Sequence, residues 1–146
     1  MMSTHRRHLL AQAAASLFGL ALTGPRARAQ PVHPDPRWYT AALRMRSRAQ
    51  SWGDQSYGAV VVIDDAVVGE GPSRVVRDMN EDAHAERVAI LDAQRWSGRE
   101  TLRGAVLYST SRPCLLCEAA AQRAGVTRMF FGPALEDAGT PRARAQ

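Results

Sequence analysis

Four side chains stand at spacings that can do hydrolytic chemistry: His84, Glu86, Cys114 and Cys117. Beyond residue 29 the chain holds only two cysteines, separated by Leu115 and Leu116, and only two histidines, His33 and His84. A Cys-x-x-Cys pair at a helix start presents two thiolates to one tetrahedral metal, and the positive end of the helix dipole favours both in their charged form. With neutral His84 as a third ligand, Zn2+ has three protein ligands and one open position, the mark of a catalytic rather than a structural site. Water in that position ionises near neutral pH, so that zinc hydroxide is the nucleophile and no strong base is needed. Glu86 follows two residues after His84 in the same helical turn, within reach of such a metal without ligating it. Its carboxylate can take the proton of the water, pass it to a ring nitrogen of an aminated heterocycle, and protonate the departing ammonia. Each residue also has a plainer reading. A histidine or glutamate at a helix start is commonly a capping or surface group, and Cys114 with Cys117 is a disulfide or redox pair in an oxidising compartment. Their co-occurrence in this order, with Pro113 before the first cysteine, favours zinc.

The elements that must position these groups follow from the hydrophobic pattern. The length of 146 residues suits one domain with one core. Trp38, Ala42, Met45, Ala49 and Trp52 recur at steps of four and three, the stripe of a helix that Gly53 and Asp54 end. Residues 57–63 and 66–71 are β-branched and apolar, and Asp64-Asp65 joins them as an antiparallel hairpin. A second helix spans 82–96 with Asp82 as its N-cap, a third strand 105–110, a third helix 113–124 opened by Pro113, and a fourth strand 127–131. The order α-β-β-α-β-α-β contains a parallel crossover, which predicts an α/β fold: a three-layer α/β/α sandwich with a mixed central sheet.

His84-Ala85-Glu86 followed by Pro113-Cys114-Leu115-Leu116-Cys117 resembles the zinc signature of the cytidine and nucleobase deaminases. The likeness runs from the first helix to Gly132 and is closest to the branch of tRNA adenosine deaminases and guanine deaminases. The resemblance implies His84, Cys114 and Cys117 as zinc ligands and Glu86 as the proton shuttle, with the Ala85 backbone lent to the substrate. It also implies a substrate contact at Ser73, which stands where that branch has an asparagine. Arg112 stands where the branch has a glutamate, reversing the charge beside the first cysteine. The family adds a fifth strand and further helices at the C-terminus, so this chain is expected to be short there and to pair as a homodimer.

Charge separates the function classes. Of 19 basic residues, all arginine, four lie in the first 29 positions, and the remainder has fifteen against fourteen acids, a net charge of +1. Such a balance favours a small nucleobase or nucleoside over nucleic acid as partner, and leaves tRNA adenosine deamination as the alternative, beside a Cys114/Cys117 redox protein or an inactive zinc-binding module. Residues 1–29 are expected to be an export signal peptide: Arg6 and Arg7 precede a short apolar core, and Ala27-Arg28-Ala29 offers a cleavage site. Residues 30–36 read as a proline-rich tether, 37–133 as the deaminase domain, and 134–146, which repeats Pro-Arg-Ala-Arg-Ala-Gln from 25–30, as a loose tail. No segment beyond the leader is apolar enough to cross a membrane, so the mature protein is expected in the periplasm. Twin-arginine export carries folded cargo and lets zinc load before Cys114 and Cys117 can oxidise. Changing Arg6 and Arg7 together to Lys is therefore expected to strand zinc-loaded precursor in the cytoplasm, as fractionation with a zinc assay would read. Undiminished export would assign the leader to the ordinary secretory route or to anchoring.

Overall fold

The computed structural model describes residues 32–143. The expected export segment, the first two residues of the tether and the last three of the C-terminal repeat lie outside them. The elements are α1 (Pro36–Ser51), β1 (Gly58–Ile63), β2 (Ala66–Pro72), α2 (Ala85–Ser97), β3 (Val106–Ser109), α3 (Leu115–Ala124), β4 (Arg128–Phe131) and β5 (Glu136–Gly139). The strands form one sheet in the order β2-β1-β3-β4-β5. Only β3 and β4 run parallel, joined by α3 as the crossover, and the remaining neighbours are antiparallel. Helix α1 covers one face through Ala41 and Met45, packed on Val60, Val62, Tyr108 and Phe130. Helices α2 and α3 cover the other through Ala85, Ala89, Ala93, Ala121 and Ala124, packed on Ala59, Val61, Leu107 and Met129. The mixed sheet between two helical layers is the expected sandwich. No helix among the described residues is long and apolar enough to cross a membrane.

Local chemistry explains the element boundaries and where they differ from expectation. Pro36, counted with the tether, is the first residue of α1. A proline is well placed there because its missing N–H would have no helical partner, and Asp35 caps the turn by accepting from the Arg37 N–H at 2.9 Å. Asp64 and Asp65 both adopt left-handed backbone, with φ of 47° and 61°, as a two-residue type I′ hairpin turn requires. Helix α2 starts at Ala85 with His84 as N-cap, three residues later than expected from Asp82. The Asp82 N–H is drawn back to the Asn80 side chain at 2.9 Å and its carboxylate pairs with Arg87, so Asp82 belongs to the preceding turn. Helix α3 likewise begins after Cys114 rather than at Pro113.

The tail expected to be loose instead supplies a fifth strand. Residues Glu136–Gly139 pair antiparallel with β4, Phe130 opposite Asp137 and Phe131 opposite Glu136. Arg128 holds the strand from β4 by a two-pronged contact with Asp137. A segment of sequence Glu-Asp-Ala-Gly has little strand propensity of its own, and its pairing comes from the open edge of β4.

Helix α2 reaches the sheet through glycine. A Cβ on Gly71 would stand 2.0 Å from the Ala85 carbonyl oxygen and 2.6 Å from the Ala89 nitrogen, and one on Gly69 would stand 2.2 Å from the Ala89 carbonyl oxygen. These contacts are backbone on backbone, so no side-chain rotation relieves them. Substituting Gly71→Ala is expected to push the start of α2 off the sheet, at the roughly 1–3 kcal/mol or more that overpacking costs, and to weaken metal retention. Thermal denaturation and metal analysis read both effects, and an unchanged midpoint with full metal would show that α2 shifts freely.

Candidate metal centre and substrate cavity

Three of the expected ligands come together at the N-termini of two helices. His84 is the N-cap of α2 and Cys114 the N-cap of α3, both in extended backbone, and neither spends its side chain on capping its own helix. Both are thereby free to face a common point, with Cys117 one turn into α3. The ligand atoms of His84, Cys114 and Cys117 all lie within 4.8 Å of one another. His84 Nδ1 is 3.7 Å from the Cys114 sulfur and 3.5 Å from the Cys117 sulfur. Tetrahedral zinc with bonds of about 2.3 Å to sulfur and about 2.0–2.1 Å to nitrogen separates such atoms by roughly 3.6 Å, so the three donors fit the ion. The first-turn N–H groups of α2 and α3 place two positive helix ends beside the thiols, which favours thiolate. Both cysteines are free.

Glu86, in the first turn of α2, is 5% exposed, and its Oε2 accepts from the Cys117 thiol at 3.5 Å. Burial pushes its carboxyl up from the ordinary value, opposed by its own backbone N–H, the Cys117 thiol, His84 and the Ser109 hydroxyl. Burial likewise pushes the Cys117 thiol up, helped by the negative charge of Glu86 and by Cys114. Two acids crowded into one buried space thus each favour their neutral form, a conflict that a divalent cation relieves by favouring thiolate and carboxylate together.

A cavity of about 250 Å³ opens over this cluster, lined by Gln55, Tyr57, Ser111 and Arg112 beside His84, Glu86 and Cys114. Gln55 and Tyr57 come from the approach to β1. Ser111 and Arg112 come from the turn after β3, which the Ser109 hydroxyl braces by donating to the Ser111 carbonyl. The Arg112 guanidinium stands over the Phe131 ring at 5.6 Å.

Neither of the two expected substrate contacts, Ser73 and Ala85, is among the residues that line this cavity. Ser73 is fully buried, and its hydroxyl donates to Asp54 Oδ1 at 2.9 Å, so it is committed to the protein interior rather than presented to a ligand. Ala85 is 1% exposed, with its carbonyl against Gly71. Sequence reasoning missed Gln55, Tyr57 and Ser111 as cavity residues because nothing in their spacing relates them to His84. It also treated Asp54 only as a helix terminator. Asp54 is 9% exposed. Burial raises its pKa, but hydrogen bonds from the Arg77 and Gln55 N–H groups, the Ser73 hydroxyl and the Val76 N–H outweigh this and hold it below the ordinary value.

Comparison with known proteins agrees with this arrangement. Residues 33–133 match the family model of the cytidine and deoxycytidylate deaminase zinc-binding region. The tRNA-specific adenosine deaminase of Buchnera aphidicola is 30% identical over 103 residues, 70% of this chain and 68% of that protein. The one from Agrobacterium fabrum is 41% identical over 76 residues, 51% of this chain and 49% of that protein. Among solved structures, a tRNA:A34 deaminase superimposes with a TM-score of 0.65 at 33% identity, covering 67% of this chain and 71% of the other. Guanine deaminase from Bacillus subtilis superimposes with a TM-score of 0.64 at 28% identity, covering 68% and 64%. The chain thus spans between about half and two-thirds of the length of the two curated relatives described.

Replacing Cys114 or Cys117 by Ser is expected to lower zinc affinity by more than the roughly 10–100-fold lost with an outer-shell partner, and to lower the thermal midpoint with it, because the site ties α2 to α3. Metal analysis reads the first effect and thermal denaturation the second, and full zinc occupancy in both variants would remove the two cysteines from the ligand set.

Proposed function

The chain belongs to the cytidine and deoxycytidylate deaminase family of zinc-dependent hydrolytic enzymes, and on that premise we propose that it hydrolyses the exocyclic amine of a small nucleobase or nucleoside, with Glu86 as the proton carrier. The observation that carries this reading is a single buried carboxylate, Glu86, on the cavity wall beside a three-donor metal cluster. His84, Cys114 and Cys117 would hold the metal. What zinc supplies when bound is Lewis acidity, which brings the pKa of water down to about 7.

The rest falls to the chain's own groups. Glu86 lines the cavity and is nearly buried, so a water and a ring nitrogen admitted there would both come within its reach. Burial raises its proton affinity, the property a group needs if it is to hold a proton between two transfers. It takes one proton from the attacking water and delivers it to the ring nitrogen, then takes the second from the hydroxyl newly bonded to carbon and passes it to the amine, so that the carbonyl forms as the C–N bond breaks and ammonia leaves. Gln55 and Tyr57 offer an amide and a phenol for orienting a heterocycle.

A second reading, deamination of adenosine in tRNA, is favoured by the names of the relatives at 30% and 41% identity. The net charge of +1 beyond residue 29 supports the small substrate. Incubating zinc-loaded protein with guanine, cytosine, adenine, their nucleosides and an anticodon stem-loop, and measuring ammonia, separates the two. Release from the stem-loop alone would replace the first reading by the second. Glu86→Gln is expected to keep zinc and fold while lowering turnover by at least about 100-fold, and near-normal turnover in that variant would overturn the mechanism.

A further inference from the structure

Three acidic side chains are buried among the described residues: Glu86, Glu118 and Asp54. Glu118 faces the exposed Arg142 at 3.7 Å, and Glu86 belongs to the cavity. Asp54 has neither role, and its carboxylate is surrounded by donors. Oδ1 accepts from the Gln55 N–H at 2.7 Å and the Ser73 hydroxyl at 2.9 Å, and Oδ2 accepts from the N–H groups of Val76 at 3.1 Å and Arg77 at 2.8 Å.

Three of these bonds, from Ser73, Val76 and Arg77, join two segments that run on beyond the paired ends of β1 and β2, where Gly58 lies opposite Pro72. One is the approach to β1, which carries Gln55 and Tyr57 into the cavity. The other is the loop after β2, whose Ser73 N–H also donates to the Tyr57 carbonyl at 3.0 Å and whose Arg77 guanidinium stands 4.2 Å over the Trp52 ring. The metal cluster is held differently, by the N-termini of α2 and α3 and by the close seat of α2 on Gly69 and Gly71. We propose that Asp54 is a positioning residue: its carboxylate clamps the loop after β2 to the segment bearing Gln55 and Tyr57, and so sets substrate affinity through the cavity wall while leaving the metal cluster and Glu86 in place.

The clamp needs a carboxylate. An asparagine has one acceptor oxygen and one amino group, and either orientation sets that amino group against a backbone N–H: Gln55 on one side, or Val76 and Arg77 on the other. Only the Ser73 hydroxyl can turn to suit it. Ser73 on this account acts on substrate through Asp54 and has no contact of its own.

The test rests on the deaminase reading for its kinetic arm only. In zinc-loaded Asp54→Asn, with the compound most rapidly deaminated in the panel above, KM is expected to rise at least about tenfold, as for one charge-assisted hydrogen bond lost, while kcat falls by much less and zinc stays at one per chain. Asp54→Glu, which restores the carboxylate, is expected to recover part of that loss. The double variant with Ser73→Ala is expected to match Asp54→Asn alone. Hydrogen exchange reads the clamp without turnover: protection is expected to fall at Gln55, Val76 and Arg77 and to persist at the start of α2. An unchanged KM, a parallel loss of kcat and zinc, or unchanged exchange in these segments would overturn the proposal, as would a double variant whose KM is raised by the product of the single effects. If wild type deaminates nothing in the panel, the deaminase reading fails and the exchange arm alone decides the clamp.

Discussion

Helix α2 lies on strand β2 with backbone against backbone, and the arrangement of the site depends on that contact. Gly69 and Gly71 on the strand face Ala85, Ala89 and Ala93 on the helix, so small residues meet there and the approach is limited by main-chain atoms. Main-chain contact resists displacement more than interdigitated side chains do, because it has no rotamers to exchange. The contact includes Ala85, the first helical residue. His84 on one side of it and Glu86 on the other therefore inherit their placement from the same seat, a ligand and a buried carboxylate held in fixed relation by one peptide unit each.

The second consequence is electrostatic. Two helices that pack side by side on one sheet face begin at the same end of it, and their N-caps, His84 and Cys114, converge. The helix ends supply partial positive charge to a space that also contains a buried thiol and a buried carboxyl. Burial resists charging either group, whereas the helix ends and a bound cation favour it. A bound cation thus offsets the cost of charging both groups, which links metal retention to the packing of α2 against α3.

The cavity above the metal has a different mechanical basis. Its floor comes from helix starts, but Gln55, Tyr57, Ser111 and Arg112 come from connecting segments. Such segments are held by individual hydrogen bonds, among them the three from Ser73, Val76 and Arg77 to Asp54 and the one from Ser109 to Ser111. Family membership accordingly speaks to the chemistry of the floor, and the groups proposed to orient a substrate lie in the walls, on connecting segments.

Much of this was legible in the chain itself. The hydrophobic periods of α1, the hairpin around Asp64-Asp65 and the strand-helix-strand succession specified an α/β sandwich, because each of these patterns is satisfied by neighbours in sequence. His84, Glu86, Cys114 and Cys117 were legible as a set because a metal needs few donors and this chain has few to offer. The fate of Ser73 was not legible, since its hydroxyl suits a ligand or a carboxylate equally and only the fold brings Asp54 to it. Nor was β5, whose residues carry no strand pattern and pair only because β4 presents an open edge beside Arg128. Sequence by itself determined the elements and the donor set, through periodicity and residue chemistry. Tertiary structure alone decided the cavity walls, the Asp54 clamp and the last strand, because each depends on partners distant in the chain whose approach no local pattern encodes.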